Sequence, residues 1–150
     1  MGFDLDNSVT HRIAIVASLA RRLAYRSIGE KKIEITPDQW TILYYLWKKD
    51  GLSISEIVSV TKKNFPNVTR IVEKLVELGY VEKRKDEIDK RSYRIYLLPK
   101  SEKIKNAVDA IHEHALECSI SGLSVHEQEV LLQLLNRIEN NIFAELENKE

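Results

Sequence analysis

The chain has 150 residues, of which 43% are apolar and 31% charged, with 23 basic and 23 acidic side chains in balance and one cysteine, Cys118. That length suits one domain with a real core, and one cysteine rules out an internal disulfide. The longest apolar run near the start, residues 13–20, is too short to span a bilayer, and Asp4 and Asp6 precede it where a signal peptide carries basic residues; a cytoplasmic protein without a membrane segment is expected.

From Ser8 to about Ile28, apolar residues at 9, 13, 16, 20 and 23 trace a helical stripe, with Gly29 as the expected stop. "TPDQ" (36–39) places Thr36 at an N-cap, Pro37 at the first helical position and Gln39 three residues on, a capping box for the helix that runs to Lys48 and Lys49 ahead of Gly51. "SISE" (53–56) is a second capping box and opens a short helix to about Val60. Asn64 caps the next helix, in which Val68, Ile71, Val72, Leu75 and Leu78 form one apolar face and Gly79 marks the end. Pro66, Arg70, Glu73 and Glu77 point away from that face, and Lys63, Asn67 and Lys74 flank it.

"YVEKRK" (80–85) and "SYRIYLL" (92–98) have strand character, with "DEIDKR" (86–91) between them as an exposed hairpin loop. One helix then runs from about Pro99 to Ser119. A last helix opens with the capping box "SVHE" (124–127), and Val130, Leu131, Leu134, Leu135, Ile138, Ile142 and Leu146 make its wide apolar stripe.

The predicted fold is mainly α with a small β-hairpin. The short helix, the turn "TKKN" and the helix after it form a helix-turn-helix, whose second helix enters the DNA major groove. The basic hairpin that follows makes it a winged helix. The neutral total charge hides an asymmetry in the same place: residues 60–100 hold eleven Lys or Arg against six Asp or Glu, which points to an anionic partner. No glycine-rich phosphate loop, nucleophile motif or metal dyad suggests an enzyme.

With these elements in place, the chain resembles the MarR family of bacterial transcriptional regulators. "ITPDQWTILYYL" looks like the family's second helix, "SISEIVSVT" its third, and "FPNVTRIVEKLVELGYVEKR" its recognition helix and first wing strand. "DKRSYRIYL" matches the wing signature through Asp89, Arg91 and Leu97. Two departures are plain. Leu98 stands where the family usually has a capping Thr, and Lys90 where a second Arg is common.

The resemblance implies one domain over 1–150, with a DNA-binding lobe at 30–98 and dimerisation helices in 1–29 and 99–150. It implies a homodimer on double-stranded DNA, binding a pseudo-palindromic operator, acting as a repressor and released by a small aromatic or phenolic effector, with no cofactor. The expected DNA-binding residues are Lys62, Lys63, Asn64, Asn67, Thr69, Arg70, Lys74, Asp89, Lys90, Arg91 and Arg94. Arg91 would enter the minor groove or meet its phosphates, with Asp89 holding the guanidinium. Tyr25, Trp40 and Tyr44 are candidates for an effector pocket. His112, His114 and Cys118 invite a metal or redox reading, with His114 and Cys118 four apart on one helix face and Glu117 nearby, but they fall short of the four ligands a closed zinc site needs. The competing reading is a winged-helix dimer that works through protein partners, or a metal- or redox-sensing form of the same regulator.

Overall fold

The computed structural model describes residues 4–148, and so omits the outermost residues of both expected dimerisation segments. In chain order the elements are α1 (Val9–Glu30), α2 (Pro37–Lys48), β1 (Leu52–Ser53), α3 (Ile54–Thr61), α4 (Phe65–Glu77), β2 (Val81–Lys85), β3 (Tyr93–Leu97), α5 (Pro99–Ile120) and α6 (Val125–Glu147). They fall into two compact units, the first extending to Ala115 and the second starting at Leu116.

Within the first unit, short-range chemistry starts each helix where the sequence predicts. Thr36 and Ser53 accept from the backbone N–H groups of Gln39 and Glu56, at 3.2 and 3.1 Å, and the side chains of Gln39 and Glu56 accept in return from the cap N–H groups. Asn64 caps α4 by accepting from the Asn67 N–H at 2.9 Å. The helices bury one face each. Ile42, Leu43 and Leu46 of α2, Ile57 of α3, Val68, Val72 and Leu75 of α4, Ile95 of β3 and Val108 of α5 are fully enclosed in one core. Because α4 buries nearly all of its apolar face there, its polar face is left outside.

The sheet has the order β1-β3-β2, all antiparallel, with Val81 opposite Leu97, Lys83 opposite Ile95 and Lys85 opposite Tyr93. Strand β1 was not predicted. Two residues are too few to show a period, and its existence depends on a distant partner, since Leu52 pairs with Ile95. Gly51 makes that approach possible. Its φ is +75°, its N–H donates to the Ile95 carbonyl at 3.0 Å, and a Cβ there would come within 2.9 Å of the Tyr96 ring.

Two expectations need correction. Gly29 does not stop α1: the helix continues to Glu30, and the chain turns at Lys32, which adopts φ +54°. The loop 86–91 is not uniformly exposed, because Asp86 is only 5% exposed. The missing Thr cap before α5 is offset by a different junction. Leu98 donates its N–H to the Tyr80 carbonyl at 2.9 Å, and its own carbonyl accepts both the N–H and the hydroxyl of the buried Ser101.

In the second unit, α6 begins at Ser124 with the third capping box, in which Ser124 accepts from the Glu127 N–H at 3.2 Å and Glu127 accepts from the Ser124 N–H at 2.7 Å. Its stripe is open: Val130, Leu131, Leu134, Ile142 and Leu146 are all at least two-fifths exposed.

Candidate nucleic-acid interface

Helix α3, the turn 62–64 and α4 form the helix-turn-helix. Lys62 carries the turn in the left-handed region, at φ +55°, a conformation of some cost for a residue with a Cβ. Lys63 follows, but its ammonium faces inward to Asp38 of α2, at 2.7 Å. Asp38 also receives the Arg21 guanidinium of α1 at 2.6 and 3.1 Å. One carboxylate thus ties α1 and α2 to the turn that precedes the recognition helix. The hydrogen bond from Arg21, followed by that from Lys63, holds Asp38 down at about 2 against the opposing effect of burial.

The sign follows from that depression. The contribution of Asp38 is complete above the unfolded carboxylate value near pH 4 and is lost as pH falls toward 2. Asp38→Asn is expected to lower stability by ~1 kcal/mol at pH 7, after allowance for solvent screening. Urea titrations should show the gap between the two proteins closing between pH 4 and pH 2. A gap that widens on acidification would contradict the assignment.

Outward on α4, the Arg70 guanidinium donates to Asn67 Oδ1 at 2.9 Å, so the two present a joined polar group. Thr69 gives its hydroxyl hydrogen to the Phe65 carbonyl at 3.0 Å and keeps its oxygen as an acceptor. Lys74 pairs with Glu77 on the same helix at 2.8 Å, an exposed contact of small energetic weight.

The wing is organised by Asp86. One of its carboxylate oxygens accepts the backbone N–H groups of Ile88 and Asp89, at 2.8 and 2.9 Å, and the other binds Nε of Arg94. Arg94 reaches on with Nη1 to the Gly51 carbonyl at 2.8 Å and to Glu56 at 3.2 Å. Those backbone bonds, more than the guanidinium, hold the Asp86 carboxyl below the usual carboxylate range. Arg94 is therefore a strut between β3, the wing turn and α3. Sequence reasoning missed the network because its partners lie up to 43 positions apart.

Asp89 is engaged with the backbone of the same turn. Its carboxylate accepts the backbone N–H of Arg91 at 3.0 Å, and its carbonyl accepts the Ser92 N–H at the same distance. Through these two backbone contacts it shapes the turn. Asp89→Asn, which keeps an acceptor oxygen, is expected to bind DNA as well as the parent or slightly better, whereas Asp89→Ala loosens the turn and weakens binding. Fluorescence anisotropy on one duplex decides this, and equal behaviour of the two variants would contradict the turn role.

Between the start of α4 and the wing lies a cleft of about 530 Å³, lined by Phe65 and Thr69 on one side and by Lys83, Ile88 and Arg91 on the other. It brings together Thr69 and Arg91, while Lys90 and Arg91 stay exposed at the wing tip.

The aromatic candidates separate. Trp40 and Tyr44 lie 5.4 Å apart, and His112 of α5 stacks on Trp40 at 3.5 Å. Tyr25 instead lines a second cleft, of about 480 Å³, with Asp38, Gln39 and Arg70, and neither tryptophan nor Tyr44 lines that cleft. The sequence drew attention to His112 only as a possible metal ligand; its stacking on Trp40 could not be read there. Its Nε2 and the indole N–H groups of Trp40 and Trp47 are buried without a hydrogen-bond partner among the described residues. Burial pushes the His112 imidazole down, toward its neutral form. His114 and Cys118 gain no third ligand: among the described residues no three His, Cys, Asp or Glu side chains come together in a way that would hold a metal ion. Among the same residues no helix is long and apolar enough to cross a membrane.

Comparison with known proteins adds to this geometry. The MarR family model matches residues 35–93, from just ahead of α2 into β3. The HTH-type transcriptional regulator YybA of Bacillus subtilis (strain 168) is 24% identical over 136 residues, covering 91% of this chain and 89% of its own. Among solved structures, a MarR protein from Peptoclostridium difficile superposes with a TM-score of 0.82 at 21% identity, covering 100% of this chain and 99% of the other. BpsR of Bordetella bronchiseptica, whose DNA binding is regulated by 6-hydroxynicotinic acid, superposes at 0.84 with 17% identity over 93% of this chain and 98% of its own. At these identities the two structures speak for the fold.

Proposed function

We propose that the chain is a MarR-type regulator: a cytoplasmic, sequence-specific repressor that binds an inverted-repeat operator as a homodimer and is released by a small aromatic effector, a reading supported by the match of the MarR family model to residues 35–93. The observation that carries this reading is the single cleft shared by the polar start of α4 and the basic wing, with Thr69 and Arg91 on its two sides. A sugar–phosphate strand fits between a helix seated in the major groove and a wing in the adjacent minor groove.

The open stripe of α6 and the exposed Val9, Val16 and Leu19 of α1 supply apolar surface for a second copy. Asn67 and Arg70 are the residues assigned to base edges, and Lys90 and Arg91 those assigned to the backbone or minor groove. Arg94 and Lys63 are left out of the contact set, because each is held by carboxylates of its own fold.

The effector is supported by Trp40, Tyr44 and His112, which offer ring faces beside buried polar atoms that lack protein partners. A planar ring bearing a hydrogen-bonding substituent matches both properties. Such a ligand changes DNA affinity only if it prefers one spacing of the two recognition helices, so it must bind free and operator-bound protein unequally.

A mobility-shift titration against salt separates this proposal from the competing one, a winged-helix dimer that acts on protein partners. Several phosphate contacts give an affinity that falls steeply with salt. An absent shift at low salt would favour the protein-partner reading.

A further inference from the structure

Ile88 sits at the apex of the wing with its side chain 95% exposed. Single exposed apolar residues are common and mean little by themselves. The turn beneath this one is unusual in how firmly it is fixed. The Ile88 N–H donates to Asp86, and the Asp86 N–H donates to the Ser92 carbonyl at 3.0 Å. Asp89 accepts from Arg91 and Ser92, and the Asp86 carboxylate is itself locked by Arg94 onto Gly51 and Glu56. A branched apolar side chain is thus presented on a rigid pedestal, with Lys90 and Arg91 following it in the same turn and Lys83 lining the cleft below.

We infer that Ile88 is a wedge for the DNA minor groove, set against the base step that Arg91 approaches from the same turn. This rests on the DNA-binding reading above and adds a source of sequence preference to it. Apolar side chains that enter the minor groove part-unstack a base step, and pyrimidine–purine steps yield to this at least cost. Ile88 therefore selects for a deformable step at a position where no hydrogen bond reads the base. A duplex suits the surroundings better than an apolar pocket on another protein: Glu87 and Asp89 adjoin Ile88, but the Asp89 carboxylate is taken up by the turn, and Lys90, Arg91 and Lys83 around it are cations that a polyanion would neutralise.

The test uses full-length protein and duplexes selected by it from a random pool, with the step facing the wing then varied. Ile88→Ala should weaken binding about tenfold on duplexes with a pyrimidine–purine step there, and little on stiff ones. Ile88→Lys adds a positive charge, so it should bind all duplexes at least as tightly while losing the step preference. A 2-aminopurine placed at that step should brighten with the parent protein and stay dim with Ile88→Ala. The inference is overturned if Ile88→Ala leaves affinity, step preference and fluorescence unchanged while Arg91→Ala still weakens binding, and in that case the DNA-binding reading survives. A change in sedimentation of Ile88→Ala with unchanged DNA binding would overturn it in favour of a protein contact. If the parent protein selects no duplex at all, the DNA-binding reading and the wedge fail together.

Discussion

Replacing Leu134 and Ile142 of α6 together by glutamate is expected to convert a dimer into monomers and to lower operator affinity by ~100-fold or more. Both side chains lie on the open stripe of α6, 48% and 49% exposed, so the change leaves the winged-helix core untouched. In a dimer that covers the stripe, each aliphatic side chain contributes ~1.5–3 kcal/mol of burial. A glutamate there must be desolvated without a partner or remain protonated, and either is costly. Loss of the dimer removes the second recognition helix, and linkage of two half-sites is worth ~10²–10⁴ in affinity. Sedimentation equilibrium reports the first effect and anisotropy on a two-half-site duplex the second. A variant that remains a dimer with full affinity would move the interface elsewhere.

Arg70→Ala is expected to cost ~1–3 kcal/mol on the preferred site and to relax the preference at one base pair. Arg70 is exposed, in the second turn of α4, and hydrogen-bonded to Asn67, so its loss leaves the core packing unaltered and folding stability should change little. Asn67 would also lose the contact that orients its amide, which adds to the loss of discrimination. Binding to a panel of single-base variants tells readout from simple charge. A uniform loss on every duplex would make Arg70 a phosphate contact and shift base readout onto Asn67 and Thr69.

Whatever depended on interactions within three or four residues could be read before the fold was known. Thr36, Ser53, Asn64 and Ser124 each cap the helix assigned to them, because a cap and its target N–H are neighbours in sequence. The apolar face of α4 was legible for the same reason: its period is local and its burial nearly complete. Gly29 misled because an exposed glycine costs a helix only ~1 kcal/mol, which the flanking turns of α1 outweigh. Strand β1 and the Arg94 network escaped because both require residues 51–56 to meet residues 86–95, which only the closed sheet provides. Charge pattern alone could not tell Arg91, which is exposed at the wing tip, from Arg94, which braces the wing from within. The place of His112 against Trp40 emerged only when α5 packed on α2.

The central claim is that this fold reads DNA as a symmetric pair of winged helices. Selection of bound duplexes from a random pool by the full-length protein, followed by sequencing, tests it most directly. The expected result is an inverted repeat whose half-sites are centred about 10 bp apart, with A·T-rich or deformable steps where the wings fall. Enrichment of a single unrepeated element, or no enrichment at any salt concentration, would contradict it.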